Sequence, residues 1–232
     1  MDWEAKRQPD YLGLNLGSRV FRPGEDITLR ADGSTKGDTL QLTVLKVDES
    51  SFDANRDLGD LLYGIATNRN RQAPTEKAKL SEVHSEKTHL KTKDIKRVYV
   101  HEQNLKGLPY GIYLVKAQVA EQVDYAWLTV TDIALVTKTE PKKGEAVVVD
   151  IDSGQPLPDV SVSITRGASQ VDLGKTNSNG LIGFDPMAGG ERLTLVSAKR
   201  GDARAHTWFY KPSQEQDVLT SHFVTDRPIY RP

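Results

Sequence analysis

Gly111-Ile112-Tyr113-Leu114-Val115-Lys116-Ala117-Gln118-Val119 is the stretch on which the reading of the fold turns. Its apolar and polar residues largely alternate, the period of a half-buried strand whose successive side chains point to opposite faces. Ala120-Glu121-Gln122-Val123-Asp124 reads as a turn and Tyr125-Ala126-Trp127-Leu128-Thr129-Val130 as the returning strand, which together predict a hairpin. Toward the N-terminus, 40–47 alternates in the same way. Residues 12–16 and 26–30 read as strands around the turn Arg22-Pro23-Gly24-Glu25. About six short strands separated by turn signals predict an antiparallel sandwich.

A second set of strands follows Val130: 133–136, 145–150, 160–165, 171–176, 181–184, 192–199 and 205–210. Between the fourth and fifth, Asn177-Ser178-Asn179-Gly180 predicts a hairpin, because Asn and Gly tolerate positive φ. This is again a sandwich pattern, and the boundary falls near Thr131. One stretch departs from it. Leu58, Leu61, Leu62 and Ile65 recur at i, i+3, i+4 and i+7, the spacing of one helix face, although Gly59 and Gly64 weaken such a helix. The polar, Lys-rich segment that follows predicts a loop with one added hairpin, so that 53–97 forms a long excursion inserted into the first sandwich. The expected fold is all-β: two consecutive antiparallel sandwiches over 1–130 and 131–223, the first with a short helix, and the start of a third domain at 224–232.

Composition narrows the functions. The chain has 232 residues, 31 Lys and Arg against 32 Asp and Glu, and no Cys. Near-zero net charge argues against nucleic acid, whose recognition uses a basic excess. Without Cys there is no disulfide, thiolate nucleophile or Cys-ligated metal. No apolar run is long enough to span a bilayer as a helix, so no membrane contact is expected of these residues.

The chain also repeats itself. Val20-Phe21-Arg22-Pro23-Gly24 resembles Ile229-Tyr230-Arg231-Pro232, and Val130-Thr131-Asp132 is echoed by Val224-Thr225-Asp226. Pro after Arg keeps the Arg extended, and Gly permits a sharp turn into the next strand. The aromatic of each copy can fill a core or wedge between domains.

These residues resemble the recurring openings of macroglobulin-type domains in the bacterial alpha-2-macroglobulin family. Thr225-Asp226-Arg227-Pro228-Ile229-Tyr230-Arg231-Pro232 is similar to the family's Thr-Asp-Arg-x-x-Tyr-Arg-Pro-Gly, and Leu108-Pro109-Tyr110-Gly111-Ile112-Tyr113 to its Leu-Pro-x-Gly-x-Tyr. Gly154-Gln155-Pro156-Leu157 and Thr176-Asn177-Ser178-Asn179-Gly180 resemble the middle of such a domain. The resemblance implies a protein that traps proteases, in many members through a Cys-Gln thioester. With no Cys, this sequence holds no thioester. The implied reading is therefore two early domains of a longer chain. They are non-catalytic, with no cofactor, and monomeric. Their partners are the other domains of the same chain, and proteases only through the parent. The implied location is periplasmic, cell-surface or secreted.

Candidate chemistry is sparse. His84 and His89 fall on opposite faces of an extended segment, which does not suit convergent metal ligands. Asp150 and Asp152 share a strand face before a turn and read as turn-capping carboxylates, since a calcium loop needs further ligands at set spacing. Lys87, Lys91, Lys93, Lys96 and Arg97 form one basic cluster, diluted by Glu82, Glu86 and Asp94. Trp208 and Tyr210 share a face, with Phe209 on the other. Phe21, Arg22, Tyr230, Arg231, Trp208 and Tyr210 are the candidates for contacts between domains. Two rival readings stay open: an adhesin or carbohydrate-binding sandwich, and an enzyme with a convergent polar cleft.

Overall fold

A computed structural model describes residues 11–34, 37–49, 79–91, 98–166, 169–188, 193–211 and 220–222. The described residues form sixteen strands and no helix. The helix expected around Leu58–Ile65, and Tyr230 and Arg231, lie outside them.

The first sandwich packs two sheets. Strands β1 (Tyr11–Asn15), β3 (Ile27–Ser34) and β6 (Val98–Leu105) make a three-stranded sheet in the order β1-β3-β6. The facing sheet contains β2 (Val20–Phe21), β4 (Thr39–Val47), β5 (Leu80–His89), β7 (Gly111–Val119) and β8 (Gln122–Val130), ordered β2-β8-β7-β4-β5. Every pairing is antiparallel except β2 with β8. The hairpin is tighter than the sequence reading has it. Val119 pairs with Gln122, so the turn shrinks to Ala120-Glu121, with Ala120 at φ 49°.

Two differences have a common cause. Leu80–His89 is not half of an added hairpin. It pairs with β4, while β6 joins the opposite sheet. Its polar sequence suits an edge strand, which exposes one face and one rim to water. Conversely, β7 is buried on both faces: Tyr113, Val115, Ala117 and Val119 enter the first core, yet Ile112 and Leu114 are also fully buried. Alternation marks a half-buried strand, and β7 lies in the interior of a five-stranded sheet.

The second sandwich holds β9 (Ile133–Glu140), β10 (Lys143–Asp150), β13 (Leu181–Phe184) and β16 (Thr220–His222) in the order β13-β10-β9-β16. Its other sheet holds β11 (Ser161–Arg166), β12 (Ser169–Lys175), β14 (Leu193–Arg200) and β15 (Ala203–Tyr210), ordered β12-β11-β14-β15. Its core is built on Val148, Val162, Ile164, Val196 and the ring pair Phe184–Phe209, 5.2 Å between centroids.

The expected hairpin at Asn177-Ser178-Asn179-Gly180 does not form. β12 and β13 lie in different sheets, and the turn carries the chain from one to the other. Asn177 explains the change: its side-chain oxygen accepts the Asn179 and Leu181 N–H groups at 2.9 and 3.0 Å, closing the turn on itself. Gly180 then lies against β10, its carbonyl accepting the Val148 N–H at 2.9 Å. It sits at φ 68°, and a Cβ there would come 2.5 Å from the Val148 carbonyl oxygen. Gly180→Ala should therefore destabilise the chain by about 2 kcal/mol or more, read as a lowered urea midpoint with unchanged slope.

Candidate interface between the sandwiches

Only Thr131 and Asp132 separate the last strand of the first sandwich from the first strand of the second. Val130 is buried in one core and Ile133 in the other. Two residues leave little freedom, and the side chains around them form a polar clasp. Asp132 is its centre. Its Oδ2 accepts from the Tyr110 hydroxyl at 3.0 Å and from Arg200 Nη2 at 2.9 Å. Tyr110 comes from the loop before β7 and packs against the second core, while Arg200 ends β14. The Asp132 carbonyl accepts the Ile151 N–H at 3.0 Å. Burial, and then the bond to Asp132, raise the Tyr110 phenol above its ordinary pKa.

Around the clasp, three further contacts join the two sandwiches. Arg22 forms an ion pair with Asp152. Asp150 holds that turn in shape, its Oδ1 accepting from the Asp152 and Ser153 N–H groups and the Ser153 hydroxyl, which lower its pKa. Trp127 of β8 meets Trp208 of β15 edge-on, with centroids 6.3 Å apart and planes at 73°. The Arg19 guanidinium lies over the Trp127 ring at 5.6 Å. Arg204 Nε approaches Glu49 at 3.5 Å, both side chains mostly buried. Burial outweighs the Arg204, Lys199 and Lys46 charges and raises the Glu49 carboxyl above its ordinary range.

The residues singled out in the sequence fall in different places. Arg22 and Trp208 each bridge the two sandwiches. Phe21 contributes its ring to the first core, while its carbonyl accepts the Thr131 N–H at 2.8 Å, where β2 runs beside β8. Tyr210 is exposed at the end of β15. His84 lies 3.6 Å from Glu86, and among the described residues no three His, Cys, Asp or Glu side chains are grouped to hold a metal. Sequence reasoning missed Asp132, Tyr110 and Glu49. Asp132 stands in the Val-Thr-Asp echo, which was the available signal.

It also missed a Ser–His pair. Ser197 and His206 face each other across the β14–β15 hairpin, with Ser197 Oγ 2.9 Å from His206 Nδ1. The register about Gly201-Asp202 would have revealed it. The geometry is not that of a relay. The other ring nitrogen, Nε2, is buried with no hydrogen-bond partner, so no carboxylate orients the ring. Burial, then Arg204, push the imidazole down from 6.5 to about 4, which makes it a weak base at neutral pH.

Residues 130–223 match the family described as Bacterial alpha-2-macroglobulin MG3 domain. An alpha-2-macroglobulin of Ralstonia nicotianae is 29% identical over 125 residues, 54% of this chain, and the chain spans 8% of that protein's length. Native alpha-2-macroglobulin from Escherichia coli spanning domains MG0-NIE-MG1 superposes with a TM-score of 0.55 at 13% identity, over 85% of this chain and 64% of the other. The piece spanning NIE-MG1 gives the same TM-score at 15% identity, over 85% of this chain and 96% of the other. At such identity the structural likeness is one of fold.

Two outcomes follow from the clasp and the imidazole. Asp132→Ala leaves Tyr110 and Arg200 without their acceptor and should cost about 2 kcal/mol in urea unfolding, with Asp132→Asn, which keeps an acceptor oxygen, losing less. His206 has a folded-state pKa below its unfolded value of 6.5, so below pH 6.5 the unfolded chain binds a proton that the folded chain refuses. Its contribution to stability is complete above pH 6.5 and falls away toward pH 4, by about 2–3 kcal/mol. Urea midpoints of the wild type and His206→Gln should therefore diverge between pH 7 and pH 4, the wild type losing more.

Proposed function

We propose that this chain is part of a bacterial alpha-2-macroglobulin and supplies two consecutive non-catalytic domains that act as a stiff strut in a much longer protease-trapping protein. The first domain covers 1–130, the second 131–223, and 224–232 opens a third. The observation that carries this reading is the clasp at Asp132. A two-residue connection combined with a shared carboxylate, an ion pair and an aromatic contact resists relative rotation of the two sandwiches. Flexible attachment would need a longer linker rich in Gly, Ser or Pro. The parent is proposed to be exported, to the periplasm or cell surface, and its proteases to be engaged by segments other than these.

A strut transmits displacement. When a protease cuts the parent elsewhere, the two domains should move together as one body relative to their neighbours. The test uses the absence of Cys from these 232 residues, any Cys elsewhere in the parent being replaced first. Spin labels on Lys87→Cys and Ser169→Cys, both exposed, report on the two sandwiches. Their distance distribution should be narrow and unchanged by cleavage of the full-length parent. Asp132→Ala combined with Trp208→Ala should broaden it. A broad wild-type distribution, or one that shifts on cleavage, would remove the strut reading. A second pair, from Ser169→Cys to a site in the following domain, should shift on cleavage.

A further inference from the structure

The outer face of the β12-β11-β14-β15 sheet carries a feature that the strut does not need. Asp172, Ser163, Ser197 and His206 are register partners, so they form one polar row across all four strands. The row lines a cavity of about 530 Å³, which the first sandwich borders through Glu49. That volume lies within the range of small-molecule sites, roughly 300–1,000 Å³, and junctions between domains are where such sites concentrate.

The row is built rather than incidental. A β-bulge opposite Val162 and Ser163 leaves Leu173 without a register partner and brings Asp172 beside Ser163. Gly174, at φ 99°, makes that bulge possible, and its N–H donates to Asp172 Oδ1 at 2.9 Å. Gln170 Nε2 donates to Ser163 Oγ at 2.7 Å. The Ser197–His206 pair uses Nδ1 alone. His206 Nε2 is buried with no partner, although the ring lines the cavity. A buried imidazole nitrogen without a hydrogen bond is costly, and the ring that carries it forms part of the cavity wall beside the serine row.

Charge selects the class of occupant. Glu49 and Asp172 are matched in number by Lys199 and Arg204, so the formal charges of the lining cancel and their sum selects neither an anion nor a cation. What remains is a set of hydroxyl, amide and imidazole groups that both donate and accept. We propose that this cavity is a binding site for a short neutral saccharide, whose vicinal hydroxyls alternate donors and acceptors along the Ser163–Ser197–His206 row.

The experiment observes His206 Nε2 directly. Imidazole ¹⁵N spectra of the whole chain at pH 7 are titrated separately with maltose, N,N′-diacetylchitobiose and glycylglycine. The expected result is a saturable shift of Nε2 with at least one disaccharide, at a dissociation constant in the millimolar range (about 4 kcal/mol by the standard relation). Ser163→Ala with Ser197→Ala should weaken binding about tenfold. Gln170→Leu, at the rim of the same row, should weaken it also, and guards against a fold defect in the double variant. The proposal is overturned by no saturable shift with either disaccharide up to about 100 mM, a hundredfold above a millimolar constant. It is equally overturned by a preference for glycylglycine, which would mark a zwitterion site, or by shifts that survive in every variant.

Discussion

Three peptide steps separate Val130 from Ile133, and these two side chains are buried in different hydrophobic cores. That constraint governs the arrangement of the molecule. Each core fixes its own strand by burying apolar surface, at about 25 cal/mol per Å². With both ends held, Thr131 and Asp132 have few conformations left. The clasp then has little entropy to overcome, because its groups are brought together by the cores rather than by one another. This is why a partly exposed carboxylate can organise the junction. On a free surface, the Asp132–Arg200 pair would contribute little. Here the same carboxylate oxygen also accepts the Tyr110 hydroxyl, and loss of Asp132 would strand both donors.

The seam beyond the clasp extends the argument. Ile112, Leu114 and Trp127 project from the five-stranded sheet on the side away from the first core, and Leu195 and Trp208 from their sheet on the side away from the second. Trp127 and Trp208 meet, and Ile112, Leu114 and Leu195 are buried. Apolar residues buried outside both cores mark a surface that is packed in the folded chain. Such packing resists shear between the sandwiches, while the polar contacts set the angle at which they meet. The division of labour is that of interfaces in general, with an apolar centre and directional polar groups around it.

How far the sequence reveals this depends on the range of the interactions. Strands were legible because alternation is local: the runs at 40–47 and 111–119 each largely display it. Where neighbouring elements override local pattern, the reading fails. The polar β5 is a paired strand because β4 offers it an edge, and Asn177-Ser178-Asn179-Gly180 crosses between sheets, its turn closed by the Asn177 side chain and its far end paired with β10. The bulge beside Asp172 was invisible for the same reason, since register belongs to pairs of strands and not to one. The candidate site was less legible than the fold. Arg22 and Trp208 carried a signal, from a repeat and from an aromatic run. Asp132 carried only the Val-Thr-Asp echo, and Glu49 is an ordinary acidic residue until the fold brings Arg204 to it.

The two faces of the β12-β11-β14-β15 sheet sharpen the point about function. One face is apolar and makes the second core. The other changes character along its length, from Leu195 and Trp208 at the seam to Ser163, Ser197 and His206 in the cavity. A face needed only for stiffness would gain from continuing the apolar seam, because a buried imidazole nitrogen with no partner lowers stability, whereas an apolar side chain of similar volume raises it. His206 carries that cost: its depressed pKa and its unpartnered Nε2 are two consequences of the same burial. A polar row whose alignment also requires a bulge and a glycine at positive φ departs from what packing alone would select. Departures of that kind concentrate at functional sites, where local rules of packing yield to binding.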